Sequence, residues 1–215
     1  MKRSGIPRGF TLVEMAVVLL VLGLLMAGLL QPLANRMEQA RRQDTLTLLE
    51  EVRDALLGFA LVNGRLPCPD VNGDGLEDSA GCQALATTYN AGVLPWSTLG
   101  VASSDAWGRP LGYMVNGAFV TTFSLASSGS GAGILGIYDS SGCSGNALAV
   151  DVPALVISGA KTDYGSALEQ ENRDGDACLV SRDYSTVPGS EFDDLVAWVA
   201  PAILFNRMVE GGRLP

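Results

Sequence analysis

The sequence predicts an α+β protein in which a long N-terminal helix packs on a small, mostly antiparallel β-sheet domain with C-terminal helices. Three features point to this fold. Residues 10–30 are apolar except for Thr11 and Glu14. Leu48, Val52, Ala55, Leu56, Phe59 and Val62 then recur at helical spacing, with Glu50, Glu51, Arg53 and Asp54 off that face. Beyond residue 63, short β-rich runs alternate with Gly and Ser clusters.

As a helix, 10–30 extends about 30 Å, enough to cross the hydrocarbon of a bilayer, and it is expected to be a transmembrane segment. Glu14 sets it apart from a plain anchor. A carboxylate in such a helix costs about 2.5 to 3.5 kcal/mol on insertion scales and calls for a partner. No Lys or Arg lies within helical reach on its apolar side. A cut between Gly9 and Phe10 would supply one, because the new α-amino group of a neighbouring copy would carry a positive charge to the same depth. The pairing is therefore expected between subunits.

Pro32 follows the apolar run, and a bend is expected there because proline removes a helical hydrogen bond. One helix is expected from about Phe10 to Val62, closed by Asn63 and Gly64 as its C-cap. This divides the chain into a leader (1–9), the long helix (10–62) and a globular domain (63–215). Turn formers dominate 65–108, which reads as a stapled surface region rather than core. Strands are expected within 111–115, 119–125, 134–138, 154–158 and 178–181. The last segment has a capped helix start at 189–193, with Asp193 at the third helical position and Leu195, Val196 and Val199 as its apolar face. Pro201 interrupts it, and a second helical piece runs over 202–209.

The formal charge is −9, and losing Lys2, Arg3 and Arg8 with the leader takes it to −12. So acidic a chain is a poor candidate for nucleic acid or anionic lipid heads. The three leader cations favour a cytoplasmic N-terminus, which places the rest beyond residue 30 outside the cytoplasm. Cys68, Cys82, Cys143 and Cys178 then lie in an oxidising compartment. Without a C-x-x-C pair or any histidine, they read as two disulfides rather than a zinc site. Three connectivities are open. Cys68 with Cys82 and Cys143 with Cys178 is favoured, because the first pair brackets one turn-rich excursion and the second closes a longer loop.

A short basic leader ending in Gly9, then Phe10, Thr11, Leu12, Val13 and Glu14, then an uninterrupted apolar run, resembles the type IV prepilin signal. That family comprises the pilins of type IV pili and the pseudopilins of type II secretion. The resemblance implies a pilin-like fold, cleavage by prepilin peptidase after Gly9, N-methylation of Phe10, and a role for Glu14 in setting register with other subunits of a filament. It also implies a bacterial inner-membrane protein, single-pass, with its globular domain in the periplasm. The stretches 104–113 (SDAWGRPLGY) and 192–199 (FDDLVAWV) are similar to segments of the major pseudopilin.

Catalysis has little to stand on, since no histidine is present to build a Ser-His-Asp or Cys-His site. Gly131, Gly133 and Gly136 imitate a dinucleotide motif, but the residues that follow open a helix poorly. No cofactor is required on this reading. Asp70, Asn72, Asp74 and Asp78 do space oxygen ligands as at the start of a calcium loop, although Gly81 stands where an EF-hand would carry its closing Glu. The second functional class is therefore a membrane-anchored extracytoplasmic adhesion or binding module using calcium.

Overall fold

The computed structural model describes residues 9–82, 89–125 and 135–214, apart from the side chains of 26–33 and of residue 81. The chain divides into two compact units, 1–41 and 42–215. Helix α1, Leu12–Asn63, begins in the first and continues into the second. Of the leader, residues 1–8 lie outside the description.

In the first unit, every described side chain from 10 to 25 is exposed, Phe10 at 80% and Leu12 at 86%. Among the described residues, no helix is long and apolar enough to cross a membrane. The transmembrane reading of 10–30 is thus not supported. The described apolar side chains of 12–25 make about 21 Å of helix, short of the ~30 Å hydrocarbon core, and the side chains of 26–30 lie outside the description.

The second unit takes up α1 from Arg42 and continues, in chain order, with α2 (Ser79–Cys82), β1 (Tyr89–Val93), α3 (Trp96–Leu99), β2 (Gly112–Asn116), β3 (Gly136–Tyr138), β4 (Ala147–Ala149), β5 (Ala154–Ser158), α4 (Ala167–Glu171), β6 (Cys178–Val180), β7 (Leu195–Val199) and α5 (Pro201–Glu210). A four-stranded sheet of order β1-β2-β5-β7 is antiparallel throughout, and a three-stranded sheet of order β4-β3-β6 pairs β3 with β6 in parallel.

Strand alternation sorts the core into two layers. Tyr113, Val115, Ala154 and Val156 share a cluster with Leu49, Val52, Leu56 and Ala60 of α1 and Leu204 and Met208 of α5. Met114 and Leu155, on the opposite face, meet Ile137 and Leu179 from the smaller sheet and Leu135 just before it. The four-stranded sheet is thereby covered on both faces.

Four expectations need correction. The buried stripe of α1 is Thr45, Leu49, Val52, Leu56, Leu57 and Ala60, rotated from the one centred on Leu48 and Phe59, and Val62 is 69% exposed. Two apolar stripes overlap on this helix, and the sheet selected one. Residues 65–108 are not merely surface. Leu66, Cys68, Asp70 and Leu94 are fully buried, and the Tyr113 hydroxyl donates to the Pro67 carbonyl at 3.0 Å. The stretch 119–125 forms no strand. Phe119 ends a 3-10 turn capped by the Asn116 side chain, and it stacks with Phe123 and Phe205 at 5.0 and 6.1 Å, so an aromatic cluster rather than a sheet buries it. Finally, 195–199 is strand β7, paired along its whole length with β5. Proline disfavours helix in the residue before it, so Ala200 is extended and Pro201 opens α5 instead of breaking a longer helix.

The helix end is as read. Gly64 adopts φ +71° and donates its N–H to the Ala60 carbonyl, while Arg213 donates to the carbonyls of Leu61 and Val62. The cysteines join as Cys68–Cys82 and Cys143–Cys178, with Cα separations of 5.9 and 5.4 Å.

Candidate functional site

The start of α1 carries the first candidate. Leu12 is its first helical residue, so Thr11 is the N-cap and Glu14 stands at N3. The Thr11 Oγ1 accepts the Glu14 N–H at 3.2 Å, and Glu14 Oε2 accepts the Thr11 N–H at 3.3 Å. This is a reciprocal capping box, spelled T-x-x-E in the sequence. The negative side chain also meets the positive end of the helix dipole. Among the described residues, a Cβ at Gly9 would meet nothing within 4 Å.

The acidic loop at 70–78 is the second. Asp70 is buried, with Oδ1 accepting from the N–H groups of Asn72 and Gly73 and Oδ2 from that of Gly75. Asn72 Oδ1 accepts from Asp74 N, Asp74 Oδ1 from Leu76 N, and Asp78 Oδ2 from Val71 N. The loop is thus organised as a run of Asx turns. Asp70, Asp74 and Asp78 do not gather three ligand oxygens within 4.8 Å of one another. Burial pushes the Asp70 carboxyl up, but the N–H donors of Gly73, Gly75, Asn72 and Asp74 outweigh it and hold it below its ordinary value. Beside the loop, Glu77 forms a two-point ion pair with Arg65 at 2.7 and 2.8 Å and accepts the Cys68 N–H. Burial raises the Glu77 carboxyl and these partners bring it below its usual range.

The Cys68–Cys82 bridge encloses this loop. Replacing both cysteines by serine is expected to lower stability by about 3 kcal/mol in chemical denaturation, the entropy of closing a loop of this length. A loss below about 1 kcal/mol would mean the Asx turns and the Arg65–Glu77 pair already hold the loop.

A third constellation escaped the sequence reading. Glu169 of α4 and Asp193 and Asp194, just before β7, bring one carboxylate oxygen each within 4.8 Å of the other two, and all three are buried. The sequence places Asp193 in the first turn of a helix, whereas here it leads into strand β7. Asp194 is its next residue, but Glu169 comes from 24 residues away, and no local pattern announces it. Burial raises Asp193 to about 6 against the Thr162 N–H, with the charges of Glu169 and Asp194 adding to the rise. Burial likewise raises Asp194 to about 6, with Asn172 and Arg173 opposing and Glu169 and Asp163 adding.

The sign of the pH dependence follows. Between about pH 4 and 6 the folded state holds protons that the unfolded chain releases, so this pair favours folding fully below about pH 4 and loses that contribution as pH rises through about 6. Asp70 and Glu77 act oppositely, since their contribution is present above their ordinary values near 4 and lost below. Stability is expected to peak near pH 4 or below and, between pH 5 and 7.5, to fall by on the order of 2 kcal/mol. Asp193→Asn should flatten the upper limb. A melting temperature that keeps rising from pH 5 to 7.5 would contradict this.

Three comparisons bear on identity. The family model described as the prokaryotic N-terminal methylation motif matches residues 7–30. No curated protein and no solved structure gives a significant match. The matched stretch contains Gly9, Phe10, the Thr11–Glu14 capping box and the apolar run. Residues 7–30 are the N-terminal signal of type IV pilins and pseudopilins.

Proposed function

We propose that this chain is a structural, non-catalytic subunit, a minor pilin or pseudopilin of a type IV pilus or type II secretion pseudopilus. It is matured by prepilin peptidase, anchored at the inner membrane with its globular domain in the periplasm, and assembled with other pilin subunits through α1. The observation that carries this reading is the methylation motif over 7–30, with Gly9 ahead of Phe10 and a carboxylate at Glu14. Two features of the molecule support it. The exposed apolar side chains of 10–25 find no cover within the described first unit, as a surface awaiting lipid or neighbouring helices would. Among the described residues a Cβ at Gly9 would meet nothing within 4 Å, in keeping with a glycine that answers to something other than packing.

Mass spectrometry of the mature N-terminus tests the reading. The expected species begins at a methylated Phe10. Gly9→Leu is expected to leave the chain unprocessed, with cleavage reduced at least about tenfold, because the bulky side chain replaces the smallest one at the cut. An intact leader on the parent protein would overturn the proposal and leave an anchored binding module, and a cut after residue 30 would overturn it by releasing the globular domain from its anchor.

A further inference from the structure

We propose that the free edge of β7 is a docking site for an extended segment of another protein, which would join the larger sheet as a further strand. β7 closes that sheet on one side. Across the β2–β5 pair, Asn116 donates its N–H to the Pro153 carbonyl at 2.9 Å. By alternation, Leu155 and Ile157 spend their backbone groups on β2, while Ala154, Val156 and Ser158 spend theirs on β7. The partners of these three are Val199, Ala197 and Leu195. Val196 and Trp198 therefore turn their N–H and C=O groups outward, and among the described residues these groups meet no backbone partner. Natural edges are blunted by a charge, a proline or a bulge. Leu195–Val199 holds none of these, and its register with β5 runs without a shift along the whole strand.

The edge opens on a cleft of about 500 Å³ shared by α1, β7 and α5, where Leu46, Ala197 and Ile203 are apolar lining and Glu50 and Arg53, paired with each other, are polar lining. Leu46 and Ile203 are 39% and 45% exposed. Outward N–H and C=O groups repeating every second residue are complemented by extended backbone, and the cleft beside them takes that strand's apolar side chains. A second copy of this chain does not fill the place. At the opposite edge of the sheet, Asp70 already exchanges both backbone bonds with Val93 at 2.9 Å, and a Cβ on Gly92 would stand 2.8 Å from the Asp70 carbonyl oxygen. That edge is covered by its own chain where β7 of a copy would run. Two copies joined through β7 itself would be related by a two-fold axis. Along the strand, such an axis sets N–H against N–H, and no ladder forms. Perpendicular to the sheet, it reverses α1, which lies along the sheet through Leu49, Val52, Leu56 and Ala60. Reversed helices do not suit subunits anchored side by side through α1, a step that rests on the function proposed above. The occupant is thus a strand from a different protein. The formal charge of −9, or −12 without the leader cations, draws basic residues flanking that strand.

The experiment uses the full chain purified in detergent, with backbone amide exchange followed by NMR. The probe is a synthetic peptide of alternating Val and Thr flanked by Lys at both ends, and its control carries Pro in place of the central Thr residues, which removes donors a ladder needs. In the free chain the amides of Val196 and Trp198 are expected to exchange at least about tenfold faster than that of Ala197, and the probe should slow both by at least about tenfold. The control peptide should protect neither. Val196→Pro removes an outward N–H at a position where an edge strand tolerates proline, so it is expected to fold and to bind the probe at least about tenfold more weakly. If it does not fold, Leu46→Lys takes its place, since it puts a charge of the probe's own sign in the cleft and should weaken binding as much without touching the strand. No protection of Val196 and Trp198 by the probe would overturn the proposal. So would binding that Val196→Pro and Leu46→Lys leave unchanged, which would place the peptide elsewhere. Protection that appears without the probe and grows with the concentration of the chain would overturn it in favour of a second copy. None of these outcomes alters the mature N-terminus, which mass spectrometry reads separately.

Discussion

Glu14→Gln is expected to fold, to be cut after Gly9, and yet to enter filaments far less well than the parent. The glutamate has two roles that one substitution can separate. Its Oε2 caps the Thr11 N–H within the chain, and an amide oxygen can accept the same hydrogen bond. Its charge is proposed to meet the Phe10 amine of a neighbouring subunit in apolar surroundings. Removing one partner of a buried pair costs about 3 to 5 kcal/mol, because the other charge is left stranded. Incorporation should therefore fall by about a hundredfold or more. Glu14→Val loses the cap as well, worth about 1 kcal/mol at the helix start, and should be no better. Both are assayed in cells lacking the parent copy, with cleavage and filament content measured side by side. Normal filament content for Glu14→Gln would reduce Glu14 to a helix cap and remove the intersubunit pairing.

Asp105→Ala should be the most damaging single change in the globular unit. The Asp105 carboxylate is buried and accepts from the N–H groups of Trp107 and Arg109, both at 2.9 Å, and from the Ser158 hydroxyl at 2.6 Å. It thus closes the 104–110 turn and ties it to the end of β5. Ser158 in turn accepts the Ala160 N–H, and Arg109 reaches the carbonyls of Gly159 and Lys161 at 2.8 Å. Hydrogen bonds to a charged group contribute about 1.5 to 3 kcal/mol each, and truncation leaves the donors stranded. Because losses in one network are not additive, the expected cost is about 4 kcal/mol, a large share of a marginal total. Asp105→Asn keeps one acceptor oxygen and should cost about half as much. Urea denaturation decides it: a loss under about 1 kcal/mol for the alanine variant would show that the turn closes without the carboxylate.

Much of what the chain does locally was open to reading from sequence alone. The signal at Gly9, Phe10 and Glu14 is contiguous, so residue type and spacing suffice. The C-cap at Asn63 and Gly64 rests on a backbone angle that glycine reaches without strain. The runs that became β2, β5 and β6 are β-branched or aromatic and bounded by turn formers, and the cysteine pairing followed the brackets around each excursion. The capping box is equally local, since Glu14 stands three residues after Thr11.

Other features were settled by partners distant in sequence. Which of two overlapping stripes α1 buries depended on the sheet laid against it, and Thr45 is buried because Ala106 donates its N–H to its hydroxyl at 3.2 Å. The 65–108 region looked like surface because turns usually are. Leu66, Leu94 and Asp70 are core because Tyr113 and the Arg65–Glu77 pair anchor the turns inward. Segment 195–199 has the composition of either a helix face or a strand, and five residues of pairing with β5 made it a strand. That pairing carried Asp193 and Asp194 to Glu169. Sequence alone determined the processing signal, the caps and the covalent frame, where cause and effect lie within a few residues. Tertiary structure decided which faces are buried and which carboxylates meet, because burial and charge proximity depend on neighbours in space.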